Sequence, residues 1–100
     1  MRRIGVPWYT RESYPRIRAM MNDDGTLAPT YDAWRMAAEN NEGEARRVGI
    51  EVVRVPLEPE VFAAWCEEQG RPLDRAGRVA FVEEALRDRP QGEAQSGNAA

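Results

Sequence analysis

The sequence predicts a small α/β fold of α+β character, mostly helical, in the order β-α-α-β-α-α. Three observations carry that prediction. Two short stretches, around Ile4 to Trp8 and Ile50 to Pro56, have the apolar patterning of strands. Four other stretches repeat apolar residues at helical spacing. Residues that start or stop helices bracket those four.

In the first strand Ile4, Val6 and Trp8 alternate with Arg3, Gly5 and Pro7, the period of a strand with one buried face. Pro7 has no backbone donor, so the strand is expected to be short, to lie at an edge, or to end there. Ser13 is the expected N-cap of the first helix, with Pro15 in the first turn, where a missing N–H costs nothing. That helix runs from about Tyr14 to Met21, with Tyr14, Ile17, Met20 and Met21 on one face. Asn22-Asp23-Asp24-Gly25 reads as the turn that ends it.

Thr30 is the expected N-cap of the second helix, and Asp32 falls in its first turn, where the helix dipole favours an anion. Tyr31, Trp34, Ala38, Ala45 and Val48 keep helical spacing. The middle, Glu39 to Gly43, is poor helix material, and Gly43 costs about 1 kcal/mol against alanine. One long helix, frayed or bent there, is nevertheless expected to end at Arg46, Arg47 and Gly49.

The β-branched residues of I-E-V-V-R-V-P lie on both faces, which predicts an inner strand covered on both sides. Glu58 or Pro59 opens a third helix through Gln69, lined by Phe62, Trp65, Cys66 and Gln69 and joined by Val61, and Gly70 stops it. Asp74 caps a fourth helix to about Asp88, with Val79, Val82 and Leu86 as its stripe and Phe81 and Ala85 beside them.

A chain of 100 residues predicts one compact domain, here residues 1–89. Residues 90–100 hold no large apolar side chain and are expected to form a disordered tail. Two strands need good helix cover to be stable. If they are parallel, their connection should be right-handed. An edge left free could pair with a second copy, so a homodimer that completes the sheet is expected.

The composition excludes much chemistry. There is no histidine, no lysine and one cysteine. This removes Ser-His and Cys-His nucleophiles, histidine metal sites, Schiff-base lysines and internal disulfides. The net charge of -3 argues against a nucleic-acid partner. Met1-Arg2-Arg3 resembles the start of a signal peptide, but Pro7, Arg11 and Glu12 interrupt the apolar stretch that should follow. No run is long enough to span a membrane, and a cytoplasmic protein with no membrane partner is expected.

The remaining chemical motifs have plain structural explanations. Asp23-Asp24-Gly25-Thr26 lacks the oxygen spacing of a calcium loop and reads as a turn. Cys66 sits late in its helix beside Glu67 and Glu68, where a thiol is not activated. Glu67-Glu68 and Glu83-Glu84 are helical neighbours that diverge by about 100° and form no dyad. No glycine-rich phosphate loop or nucleophile elbow is present. No catalytic residue, cofactor or metal site is predicted.

The candidate site lies in V-P-W-Y-T-R-E-S-Y-P, residues 6 to 15. Trp8 and Tyr14 are expected to point inward and to join Tyr31, Trp34 and Trp65 in one aromatic cluster between sheet and helices. The same residues could line a shallow pocket. Tyr9 by alternation points opposite to Trp8, and Arg11, Arg16 and Arg35 are close in sequence to the rings. Arginine beside aromatic rings suits an anionic or aromatic ligand, or a partner's anchor residue. The candidate ligand or partner contacts are therefore Trp8, Tyr9, Arg11, Tyr14, Arg16, Tyr31, Trp34 and Arg35.

The strings P-W-Y-T, L-A-P-T-Y-D-A-W, G-I-E-V-V-R-V-P and F-A-A-W-C-E-E-Q-G-R-P resemble a group of short, uncharacterised bacterial proteins. The resemblance covers most of the chain outside the tail. It implies a bacterial origin and one compact module, and assigns no role to any residue. The function expected is that of a small non-enzymatic interaction or accessory module, acting as a homodimer, with a protein partner, or both. The alternative is a small-molecule binder or minor enzyme using the aromatic and arginine pocket.

Overall fold

Local signals place most element boundaries. The chain forms β1 (Arg3–Trp8), α1 (Tyr14–Met20), α2 (Tyr31–Arg47), β2 (Glu51–Pro56), α3 (Pro59–Gln69) and α4 (Arg75–Arg87) in a computed structural model. The structure describes residues 2–22 and 27–88. The predicted turn at 23–26 and tail at 90–100 lie outside the described residues.

Thr30 accepts a hydrogen bond from the Ala33 N–H, and Asp74 accepts one from the Gly77 N–H, so α2 and α4 start as predicted. Past the end of α2, Gly49 takes a left-handed φ of 84°. Its N–H donates to the Arg46 carbonyl, and the Ile50 N–H donates to Ala45, which satisfies two end carbonyls of the helix. Gly70, at φ 66°, closes α3 in the same manner, with the Arg71 N–H on the Cys66 carbonyl.

The start of α1 differs from expectation. Ser13 makes no capping bond there. Instead Thr10 Oγ1 accepts from the Ser13 N–H, and Ser13 Oγ accepts from the Thr10 N–H. The reciprocal pair caps a helical turn that begins before α1, a capping box with serine in place of glutamate.

β1 and β2 form a parallel two-stranded sheet, in register from Arg3 opposite Glu51 to Trp8 opposite Pro56. Neither strand is inner, because no further strand flanks β2 among the described residues. Its β-branched residues are explained by helices that contact it from both faces. The Glu51 N–H donates to the Arg2 carbonyl and the Leu57 N–H to the Trp8 carbonyl. In a parallel ladder this parity turns the backbone groups of Ile4, Val6 and Trp8 toward β2. Those of Arg3, Gly5 and Pro7 face the outer edge, where the absent donor of Pro7 breaks no ladder bond.

The two faces carry different helices. Ile4, Val6 and Trp8 share a face with Val52 and Arg54, which α2 covers on its β2 side. Gly5 and Val55 face α4, which crosses both strands. A Cβ on Gly5 would stand 2.7 Å from Val82 Cγ1, so this glycine lets the helix approach the strand.

The core gathers Tyr9, Tyr14, Ile17, Met21, Leu57, Phe62 and Cys66. Several stripe residues fall outside it. Val48, Val61, Val79 and Gln69 are exposed, because each helix buries a narrower strip than its apolar pattern suggests. Glu42 and Arg78 are buried instead, at 3% and 5% exposure.

Candidate functional site

Trp34, on the first turns of α2, is the centre of an aromatic group. Its ring centroid lies 4.8 Å from Tyr9, 5.0 Å from Trp8, 5.5 Å from Tyr31 and 5.8 Å from Tyr14. These are the separations of favourable offset and edge contacts. Tyr9 and Tyr14 are fully buried. The Tyr14 hydroxyl donates to the Ala28 carbonyl at 2.7 Å, and burial raises its pKa above the ordinary tyrosine value. β1 ends at Trp8, so alternation no longer governs Tyr9, which turns into the core while Trp8 stays half-buried. Trp65 belongs elsewhere: it packs with Phe62 and Phe81 in a second group between α3 and α4. The single cluster expected from the sequence is thus two.

Arginines surround the first group. Arg11 lies 4.7 Å over the Tyr31 ring and pairs with Asp32. Arg35 donates to the Tyr31 hydroxyl and to Glu39, which raises its pKa. Arg16 sits apart and pairs with Glu60 of α3. Trp8, Tyr9, Arg11, Tyr14, Tyr31, Trp34 and Arg35 are therefore brought together, and Arg16 is not.

The sequence reading missed Arg54 and Glu42. Arg54 stacks on Trp8 at 3.8 Å and donates to both oxygens of Glu42, at 2.7 and 2.8 Å. These bonds hold the Glu42 carboxyl below the usual carboxylate range, although burial pushes the other way. Arg46 adds a more distant charge at 3.8 Å. The sequence did carry a signal: Glu42 interrupts the apolar stripe of α2, and Arg54 interrupts the apolar run of β2. With Arg11, Arg35 and Arg54 all engaged by carboxylates, the ring face of this patch is a closed structural network.

The open space lies beside it. A cavity of about 390 Å³ lies against the α2 face of the sheet and reaches α4, bounded by Ile4, Val6 and Pro7 of β1 and Val52 of β2, by Trp34, Ala38 and Asn41 of α2, and by Arg75 and Val79 of α4. Tyr9, Glu42 and Arg78 also line it. A second cavity, of about 300 Å³, follows β1 on the α4 side and is lined by Arg3, Gly5 and Pro7 and by Val79, Glu83 and Leu86. Every residue of β1 is half-buried. The strand edge is thus a ledge with a trough on either face.

No protein family matches the chain, and neither curated proteins nor solved structures give a match. No helix among the described residues is long and apolar enough to cross a membrane.

Proposed function

We propose that the chain is a small cytoplasmic, non-enzymatic interaction module that takes a strand of another polypeptide onto the outer edge of β1. The observation that carries this reading is the outer edge of β1, which no strand flanks among the described residues, with a trough on each face. The main-chain groups of Gly5 and the Pro7 carbonyl supply hydrogen bonds to an added strand. The troughs receive its alternating side chains. The aromatic and arginine network fixes the end of β1 and makes the ledge rigid, which lowers the ordering cost of binding.

A second reading rests on the larger cavity alone. Its volume is within the range of small-molecule sites, and Trp34, Arg75 and Arg78 would suit an anionic or aromatic ligand.

Native mass spectrometry of the protein purified gently from its host, followed by hydrogen exchange of the complex, tests both. A retained polypeptide that slows exchange at the Gly5 amide supports strand addition. A polypeptide that instead protects only α1 and α3 overturns it. A small-molecule mass without any polypeptide favours the second reading.

A further inference from the structure

Building on the reading of the larger cavity as a small-molecule site, we propose that its ligand is a neutral aromatic molecule of one or two rings, with a polar group that bonds to the Asn41 carboxamide. The site lies where α2 stands away from the sheet. This helix packs mainly on β2. Ala37 and Ala38, two short side chains, line the space of about 390 Å³ that this offset leaves over Ile4 and Val6. Such a volume is near the lower end of the range for small-molecule pockets, so the ligand is small.

The walls are apolar and only partly covered by the protein itself. Ile4 and Val6 stand beside Val52 on the α2 face of the sheet. All three are half-buried, as are Trp34 and Ala38 across from them. Water against such walls finds few partners, and an apolar group that displaces it gains affinity. Trp34 and Tyr9 supply ring surface, on which a further ring makes favourable offset or edge contacts.

The charged groups of the lining select against ions of either sign. Glu42 holds a buried negative charge that is already bonded to Arg54. Arg75 and Arg78 are positive and have contacts within the chain. An anion drawn to these arginines would compete with those contacts and share the cavity with the Glu42 carboxylate. A cation drawn to Glu42 would compete with Arg54 and face the same two arginines. A neutral ligand disturbs none of these contacts. Asn41 is an exposed, uncharged residue of the lining, and its amide offers such a ligand both donor and acceptor.

Benzamide, benzoate and benzylammonium, alike in size and different in charge, test the proposal. Each is titrated into the isotope-labelled full chain, with backbone amide NMR shifts as the readout. The expected result is benzamide binding with a Kd of about 1 mM or tighter, seen as shifts at Ile4, Val6, Ala38 and Asn41. Benzoate and benzylammonium should bind at least about tenfold more weakly. Asn41→Ala should weaken benzamide binding about fivefold, through loss of one hydrogen bond. Asn41 is exposed, so this variant keeps the fold. Ala38→Leu fills the space and should remove binding. Benzoate or benzylammonium binding as tightly as benzamide at these residues overturns the neutral ligand and leaves the small-molecule reading standing. Benzamide binding indifferent to both substitutions overturns the assigned site. No shift from any probe overturns the proposal. The small-molecule reading then falls with it if the host-purified protein carries no small-molecule mass, and stands if it does.

Discussion

Glu42 and Arg54 meet side-on where α2 lies over β2, each carboxylate oxygen taking one guanidinium nitrogen at 2.7 and 2.8 Å. Glu42 is 3% exposed, while the Arg54 side chain is 41% exposed, so the pair is buried at one end and wet at the other. Its partners are unequal: removal of the arginine strands a buried charge, whereas removal of the carboxylate leaves a cation that water can reach.

Arg54→Ala should therefore destabilise more than Glu42→Gln. Breaking a fully buried pair costs about 3–5 kcal/mol, and access of water to this one places Arg54→Ala at about 2–3 kcal/mol. Urea unfolding followed by tryptophan fluorescence measures both variants. Equal losses would show that Glu42 is not the costly member.

The depressed pKa of Glu42 gives a pH dependence of definite sign. The pair's contribution is present above the unfolded carboxylate value, about 4.3, and is lost as pH falls through the lower folded value. The wild type should exceed Glu42→Gln in stability at neutral pH, and the gap should close on acidification below about pH 4. Denaturant midpoints of the two proteins from pH 7 to pH 3 provide the check. A gap that stays constant would assign the loss to packing.

Gly5→Ala should cost about 1–3 kcal/mol through overpacking, since its Cβ would press on Val82, a buried β-branched residue with little rotamer freedom in a helix. Shortening Val82 to alanine in the Gly5→Ala background should cost less than the same change in the wild type. Thermal unfolding of the four proteins of that cycle measures the coupling, and simple additivity would contradict the contact.

Cys66 is buried, and that burial raises its thiol pKa. A raised thiol pKa favours the neutral form in the folded state. Its contribution to stability is present below the ordinary thiol value of about 8.5 and falls as pH rises through it. A thiol reagent should label the native protein at least about a hundredfold more slowly than the urea-unfolded chain. Equal rates would place the sulfur at the surface.

The caps Thr30 and Asp74 and the stops Gly49 and Gly70 were legible in the sequence because each acts within a few residues of itself. The strand direction, the edge parity of Pro7 and the Glu42–Arg54 bond were not, because each depends on chain segments that meet only in the fold. Glu39 to Gly43 reads as a weak point of α2, yet the helix runs unbroken there: the bond from Glu42 to β2 supports what local propensity disfavours. Tyr9 was misdirected because alternation was extended one residue beyond the end of β1. Trp65 was misassigned because helical spacing gives a face and not its neighbour.

The pairing of Arg3 with Glu51 also bears on how the protein is made. β1 emerges from the ribosome first, and its mate only after both intervening helices. Closing so long a loop costs entropy that local helix formation does not, and parallel pairing across it is slow. Until β2 is made, β1 is an apolar strand with two open edges instead of one, exposed to any sticky surface nearby. The arrival of β2 ends that interval, so the nascent chain is safest when the stretch from Glu51 to Pro56 is translated without delay.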